Sequence, residues 1–191
     1  MKAILDTVED PQVGGQAPDV ELFDTEGGRV SLSKFWRERP LVLIFLRHLG
    51  CTFCQQQLAW LRRDYAKIKA LGADVVCVSQ GDPKVGKAYS ILYALPFPLL
   101  VCGEDLSVFD TYGLKEGTSL QLLHPRLLFR ALVSFMQGHV QTKMEGRGRQ
   151  LGGGFVIDTD GVIRYLYRSS DASDTVRDED ILNALNGLSV Y

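Results

Sequence analysis

At 191 residues the chain is long enough to bury a core without covalent cross-links, and it reads as one domain, 1–191, with an insertion at about 118–150. Apolar residues make up 46% and charged residues 23%, with a formal net charge of -2, which excludes a disordered chain and gives no footing for a nucleic-acid partner. A membrane span is excluded too, because the most apolar stretch, SLQLLHPRLLFRALVSFMQG, is broken by His124, Pro125, Arg126 and Arg130 before it reaches roughly 20 uninterrupted apolar residues.

The first residues, MKAILDTVEDPQVGGQAPD, carry acids where a secretory signal has its apolar stretch, and they lack the arginines of a transit peptide. The expected compartment is therefore the cytoplasm, which is reducing. There, four cysteines point to catalysis, metal binding or simple burial before structural disulfides.

In chain order, LVLIFL (Leu41 to Leu46) and VVCVS (Val75 to Ser79) are continuous apolar runs of strand length, as expected of central strands covered on both faces. Between them Leu58, Leu61, Tyr65 and Ile68 recur at helical spacing, and Gly72 stands where that helix stops. Asp82 and Pro83 open a second helix, through about Tyr93, as N-cap and first helical residue. PFPLLVC reads as a strand with its prolines at the start, followed by a short helix near Val108 to Tyr112.

Residues 118–150 form the insertion: an apolar half suited to a buried helix or an oligomer contact, then the glycine-rich EGRGRQLGGG. FVIDTDGVIRYLY is a hairpin with Gly161 at a positive-φ turn position. Asp178, Glu179 and Asp180 begin a last helix whose apolar set is Ile181, Leu182, Leu185 and Leu188. The order β-α-β-α-β, hairpin, helix predicts an α/β domain: a central mixed sheet flanked by helices, in the manner of a thioredoxin-like fold, with a helical or loop insertion before the C-terminal hairpin.

The chemistry concentrates in RHLGCTFCQQQ. Cys51 and Cys54 lie between a buried strand and an amphipathic helix, where unpaired backbone N–H groups and the helix dipole favour thiolate over thiol. This context favours a redox pair, while half of a zinc site and two inert thiols remain the alternatives. Arg47 and His48 precede the pair, and alternation along a strand lets at most one of them face the sulfurs. Cys77 and Cys102 read as structural, and His124 and His139 have no partner at metal-ligand spacing. The glycines of GRGRQLGGG precede a strand, so they suit a close backbone approach better than a phosphate cradle.

Taken together, VGGQAPDVELFDTEGGRVSLSKF, LVLIFLRHLGCTFCQQQ, DTYGL and QLGGGFVIDTDGVIRYLY make the chain resemble the peroxiredoxin-like AhpC/TSA antioxidant family, in its C-x-x-C branch, within the thioredoxin superfamily. The resemblance implies chemistry on peroxide O–O bonds or on disulfides, with a thioredoxin-type dithiol as reductant and no metal or organic cofactor. It also marks departures. The family pattern Pro-x-x-x-Thr-x-x-Cys aligns Arg47 with proline, Cys51 with threonine and Cys54 with the attacking cysteine, whereas the thioredoxin pattern assigns attack to Cys51 as the more exposed sulfur. The family's arginine before the hairpin is replaced by Gly152, which leaves Arg147 or Arg149 as displaced candidates.

The expected function is a thiol-dependent oxidoreductase that reduces hydrogen peroxide or an organic hydroperoxide. One of Cys51 and Cys54 attacks, and the other resolves the resulting sulfenic acid into a disulfide. That chemistry requires the two sulfurs to be adjacent and within reach of solvent. The alternatives are a protein disulfide reductase and a non-catalytic binding module, in which the insertion docks a partner or a second subunit as a homodimer.

Overall fold

The computed structural model describes residues 9–117 and 147–188. Two short strands come first, β1 (Glu21–Phe23) and β2 (Arg29–Ser31), followed by a 3-10 turn at Leu32–Phe35. Neither strand is among the elements expected from the sequence. Asp24 closes their turn by accepting hydrogen bonds from the N–H groups of Glu26 and Gly28, and Gly27 supplies the positive φ.

The expected elements follow. They are β3 (Leu41–Phe45), α1 (Thr52–Ala70), β4 (Asp74–Ser79), α2 (Pro83–Leu92), β5 (Leu99–Val101), α3 (Ser107–Thr111), β6 (Gly153–Ile157), β7 (Ile163–Arg168) and α4 (Asp178–Leu188). Their boundaries carry the predicted punctuation. Gly72 sits just past α1 at φ 81°, and the Asp82 carboxylate caps α2 by accepting from the Lys84 N–H at 2.8 Å. Gly161 turns the β6–β7 hairpin at φ 79°.

The strands form one seven-stranded sheet in the order β2-β1-β5-β4-β3-β6-β7. β3, β4 and β5 are parallel; the remaining pairings are antiparallel. β3 is central, paired along its length with β4 (Leu41 opposite Asp74) and with β6 (Leu41 opposite Ile157). Its unbroken apolar run exists because both faces are covered. Leu41, Leu43 and Phe45 enter one core with Phe109, Tyr112 and Phe155, and Val42 and Ile44 enter the other with Leu58, Leu61, Ile181 and Leu185. In the first core the Phe45 ring lies 4.8 Å from that of Tyr112, whose hydroxyl donates to the Pro18 carbonyl at 2.6 Å.

Of the expected insertion, residues 118–146, with His124 and His139, lie outside the described residues. The flanking chain is paired with itself. The Gly117 N–H donates to the Arg149 carbonyl and the Leu151 N–H to the Lys115 carbonyl, around a bridge between Glu116 and Gln150. The strap 147–152 then runs into β6 beside the C-terminal end of β3, the end of a parallel sheet where binding sites form.

No helix among the described residues is long and apolar enough to cross a membrane.

Candidate active site

Cys51 is the N-cap of α1, in extended conformation (φ -78°, ψ 128°), and Cys54 lies in the first turn above it. The spacing of three puts both side chains on one side of the helix start, where N–H groups lack intrahelical acceptors. The two free thiols are hydrogen-bonded to each other, Cys54 donating to the sulfur of Cys51. That bond is the largest influence on Cys51 and lowers its pKa to about 6. Burial opposes it; the Arg47 charge and the N–H groups of Cys54 and Phe53 reinforce it. Cys54 moves the other way, well above the usual thiol range, because its proton is held by Cys51, its sulfur is buried and a Cys51 thiolate repels a second charge. The pair therefore shares one proton, with the negative charge on Cys51.

Arg47 is the charge beside that thiolate. Its Nη1 lies 3.4 Å from the Cys51 Sγ. Three carbonyls hold the same guanidinium: Gln150 accepts from Nε at 3.0 Å, Gly148 from Nη2 at 2.5 Å and Ala172 from Nη1 at 3.5 Å. A rigid planar fork can satisfy acceptors from two chain segments and still face a sulfur, which a lysine ammonium cannot do with the same geometry.

Of the other arginines singled out in the sequence, Arg147 pairs with Glu116 at 3.1 Å and Arg149 donates to the Gly117 carbonyl. Among the described residues neither makes a hydrogen bond to a sulfur. Arg47 and His48 both lie beyond the end of β3, so strand alternation does not place them; of the two, Arg47 has a side-chain hydrogen bond to Cys51.

One expectation requires correction. Cys51 and Cys54 were to be within reach of solvent, with Cys51 the more exposed; they are 4% and 3% exposed, so burial does not distinguish them. Arg47 and the strap beside it pack over the helix start, so access to either sulfur demands a local opening. Cys77 is fully buried in β4 and its thiol is pushed well above the usual range. Cys102, at the end of β5, is buried also, and desolvation pushes it up to about 12. Among the described residues no group of three or more His, Cys, Asp or Glu side chains is placed to hold a metal ion.

Gln80 escaped the sequence reading although it had a signal: a polar residue immediately after the apolar run of β4, at the functional end of the sheet. It is fully buried and hydrogen-bonded to both Arg47 and the strap. With Phe23, Pro83, Leu106 and Arg147 it also lines a cavity of about 580 Å³, which neither cysteine of the pair lines.

His48 is 2% exposed, and its Nδ1 has no hydrogen-bond partner among the described residues. Burial, aided by the Arg47 charge, holds its pKa down at about 4. The imidazole is thus neutral in the folded protein, while in the unfolded chain it gains a proton near 6.5. Its contribution to stability is whole above 6.5 and is lost as pH falls through 4. Unfolding free energy should drop by up to about 3 kcal/mol over that window from this residue. Urea titrations at pH 7 and pH 4.5 check this: His48→Gln should show a smaller acid loss than the parent, and equal losses would remove His48 as the cause.

A doubly covered sheet with paired thiols at the helix start after its central strand defines a thioredoxin-fold thiol protein. The sequence profile of the AhpC/TSA family matches residues 13–166, and the chain belongs to that family, whose peroxiredoxin-like members share this fold. It is 41% identical over 168 residues to "Peroxiredoxin Q, chloroplastic" of Populus jackii, covering 87% of this chain and 65% of that protein. It is 32% identical over 156 residues to the protein of the same name from Oryza sativa subsp. japonica, covering 82% and 58% respectively. The chain thus spans less than two thirds of the length of either relative. The solved structure of a peroxiredoxin-like protein from Aquifex aeolicus superposes with a TM-score of 0.70 at 16% identity, over 94% of this chain and 89% of that one. The cytoplasmic compartment expected from the first residues does not stand, because these curated relatives carry the name chloroplastic.

Proposed function

We propose that the protein is a thiol peroxidase working through Cys51 and Cys54, within one thioredoxin-like unit of residues 1–191 in which 118–150 is an insertion. The observation that carries this reading is the asymmetric thiol pair: Cys51 drawn down to about 6 with a guanidinium 3.4 Å from its sulfur, and Cys54 held protonated beside it. The Cys51 thiolate attacks one peroxide oxygen; the O–O bond breaks, and the leaving oxygen takes a proton and departs as water or an alcohol. The Cys51 sulfenic acid then condenses with the Cys54 thiol, releasing water and forming the disulfide. A thioredoxin-type dithiol returns two electrons by exchange and is itself oxidised to a disulfide. No metal or organic cofactor enters any step.

The family pattern aligns Cys54 with the attacking cysteine; the charge distribution in the pair favours Cys51. Burial of both sulfurs favours a small peroxide over a protein disulfide, because less chain must open to admit it. The relatives' names support a plastid as the setting.

Mass spectrometry of single variants after substoichiometric hydrogen peroxide tests the assignment. Cys54→Ser keeps an O–H that can donate to Cys51, and it should trap a sulfenic acid at position 51. Cys51→Ser removes the partner that holds the Cys54 proton and repels its charge, leaving a thiol raised by burial alone, and its oxidation at pH 7 should be about tenfold or more slower. Equal rates in the two variants would refute the assignment. A wild-type rate no greater than that of a free thiol at equal thiolate would remove the peroxidase reading itself.

A further inference from the structure

We infer that Gln80 is a positioning residue of this site: it touches neither sulfur, and it holds Arg47 and the strap 147–152 in the arrangement that sets the guanidinium against Cys51. The inference rests on the reading of Cys51 as the reactive thiolate.

The side-chain amide of Gln80 has two N–H donors and one carbonyl acceptor, and every kind of capacity is used on backbone. Its Nε2 donates to the carbonyl of Arg47 and, at 3.1 Å, to the carbonyl of Arg147. Its Oε1 accepts from the N–H of Arg147 at 2.6 Å. Toward Arg147 it thus behaves as one residue of a strand edge would, presenting a donor and an acceptor together. Toward Arg47 it fixes the chain just beyond the end of β3.

The consequence follows from what Arg47 does next. The guanidinium is held by the carbonyls of Gly148 and Gln150, one and three residues beyond the point that Gln80 grips. Gln80 and Arg47 therefore tie the same strap to the ends of two adjacent parallel strands, β4 and β3. Releasing Gln80 frees both the Arg47 backbone and the start of the strap that carries its acceptors. A displacement of about 1 Å at a charge that faces a buried sulfur is enough to change reactivity.

The chemistry demanded at position 80 is narrow. Glutamate has the shape but no donor, and it would set a carboxylate against two carbonyl oxygens. Methionine has the shape and no strong hydrogen bonds. Gln80 is fully buried, so losing its bonds leaves backbone groups unpaired away from water.

The test reads the ionisation of Cys51, which a purely structural role would not move in a folded variant. The rate of alkylation at Cys51 is followed by peptide mass spectrometry as a function of pH. Folding is monitored by circular dichroism under the same conditions. In Gln80→Met the midpoint for Cys51 should rise by about one pH unit. In an Arg47→Met background the same change at position 80 should add nothing, because its effect runs through the guanidinium.

A folded Gln80→Met whose midpoint stays within about 0.3 unit of the parent overturns the inference, and so does an equal shift in the Arg47→Met background. Gln80→Leu, apolar and uncharged, provides the same two readings if Gln80→Met does not fold. Peroxide consumption by the wild type is measured separately. Its absence would remove the peroxidase reading while leaving the alkylation result to judge Gln80.

Discussion

A methyl group added at position 152 is expected to cost more than about 3 kcal/mol and to leave little folded protein. Built onto Gly152, a Cβ stands 2.3 Å from the Phe45 carbonyl oxygen and 3.7 Å from the Arg47 nitrogen. The obstacle is backbone of the central strand, with no flexible side-chain end to swing aside. The adjoining positions are equally closed: at Gly153 the Cβ meets the Leu114 Cδ2 and the Tyr167 carbonyl oxygen, each at 2.6 Å, and at Gly154 it meets the Val176 Cγ1 at 2.9 Å. Three successive glycines thus let the strap descend onto the end of β3 and enter the sheet between β3 and β7.

Gly187→Ala supplies the opposite sign in the same scan. Gly187 lies in α4 with nothing within 4 Å of an added Cβ, so alanine there should stabilise by about 0.5–1 kcal/mol through helix propensity. Urea midpoints of the two variants decide it. A Gly152→Ala protein with the midpoint of its parent would mean that β6 can move away from β3 at little cost.

Removing the guanidinium should act on the chemistry of the pair through the ionisation of Cys51. With a midpoint near 6, Cys51 is mostly thiolate at pH 7. Arg47→Met deletes the only side-chain cation among the influences that lower it and should move the midpoint up by about one unit or more. The thiolate fraction at pH 7 then falls to about half or below. The rate of peroxide oxidation at pH 7 should fall with it, by about twofold for a shift of one unit and more for a larger one, partly offset because a thiolate of higher pKa is the better nucleophile.

Arg47→Lys should recover part of the shift and not the full rate, since an ammonium cannot span the carbonyls of Gly148, Gln150 and Ala172 while facing the sulfur. Stability carries the same signature. A thiolate favoured by the fold stabilises it fully above about 9, where the unfolded thiol also ionises, and this contribution is lost as pH falls through 6. Arg47→Met should flatten that rise, and an unchanged alkylation midpoint in the variant would show that Arg47 is not part of the thiolate's environment.

The larger elements were legible because local pattern and tertiary environment agree in them. An apolar run such as Leu41 to Leu46 has no stable place except between two covered faces, and the spacing of Leu58, Leu61 and Ile68 buries only as a helix. β1 and β2 were not legible. Three residues each, at the edge of the sheet, with one buried side chain between them at Leu22, they carry too little periodicity to register. Their strongest signal, the turn chemistry of Asp24 and Gly27, marks a bend without saying what flanks it.

For the site, sequence spacing placed Cys51 and Cys54 as neighbours at a helix start, and allowed at most one of Arg47 and His48 to face them. Burial of the sulfurs, the grip of Gln80 and the carbonyls from Gly148, Gln150 and Ala172 were decided only by tertiary structure. Those groups come from segments about 100 residues or more away in the chain from Arg47, or from the neighbouring strand, and no local period encodes such a meeting. The order of strands and helices follows from where apolar residues recur along the chain, so the sequence by itself determined it. The partition of one proton between two thiols depends on charges and dipoles converging in three dimensions, and only the folded chain brings those together.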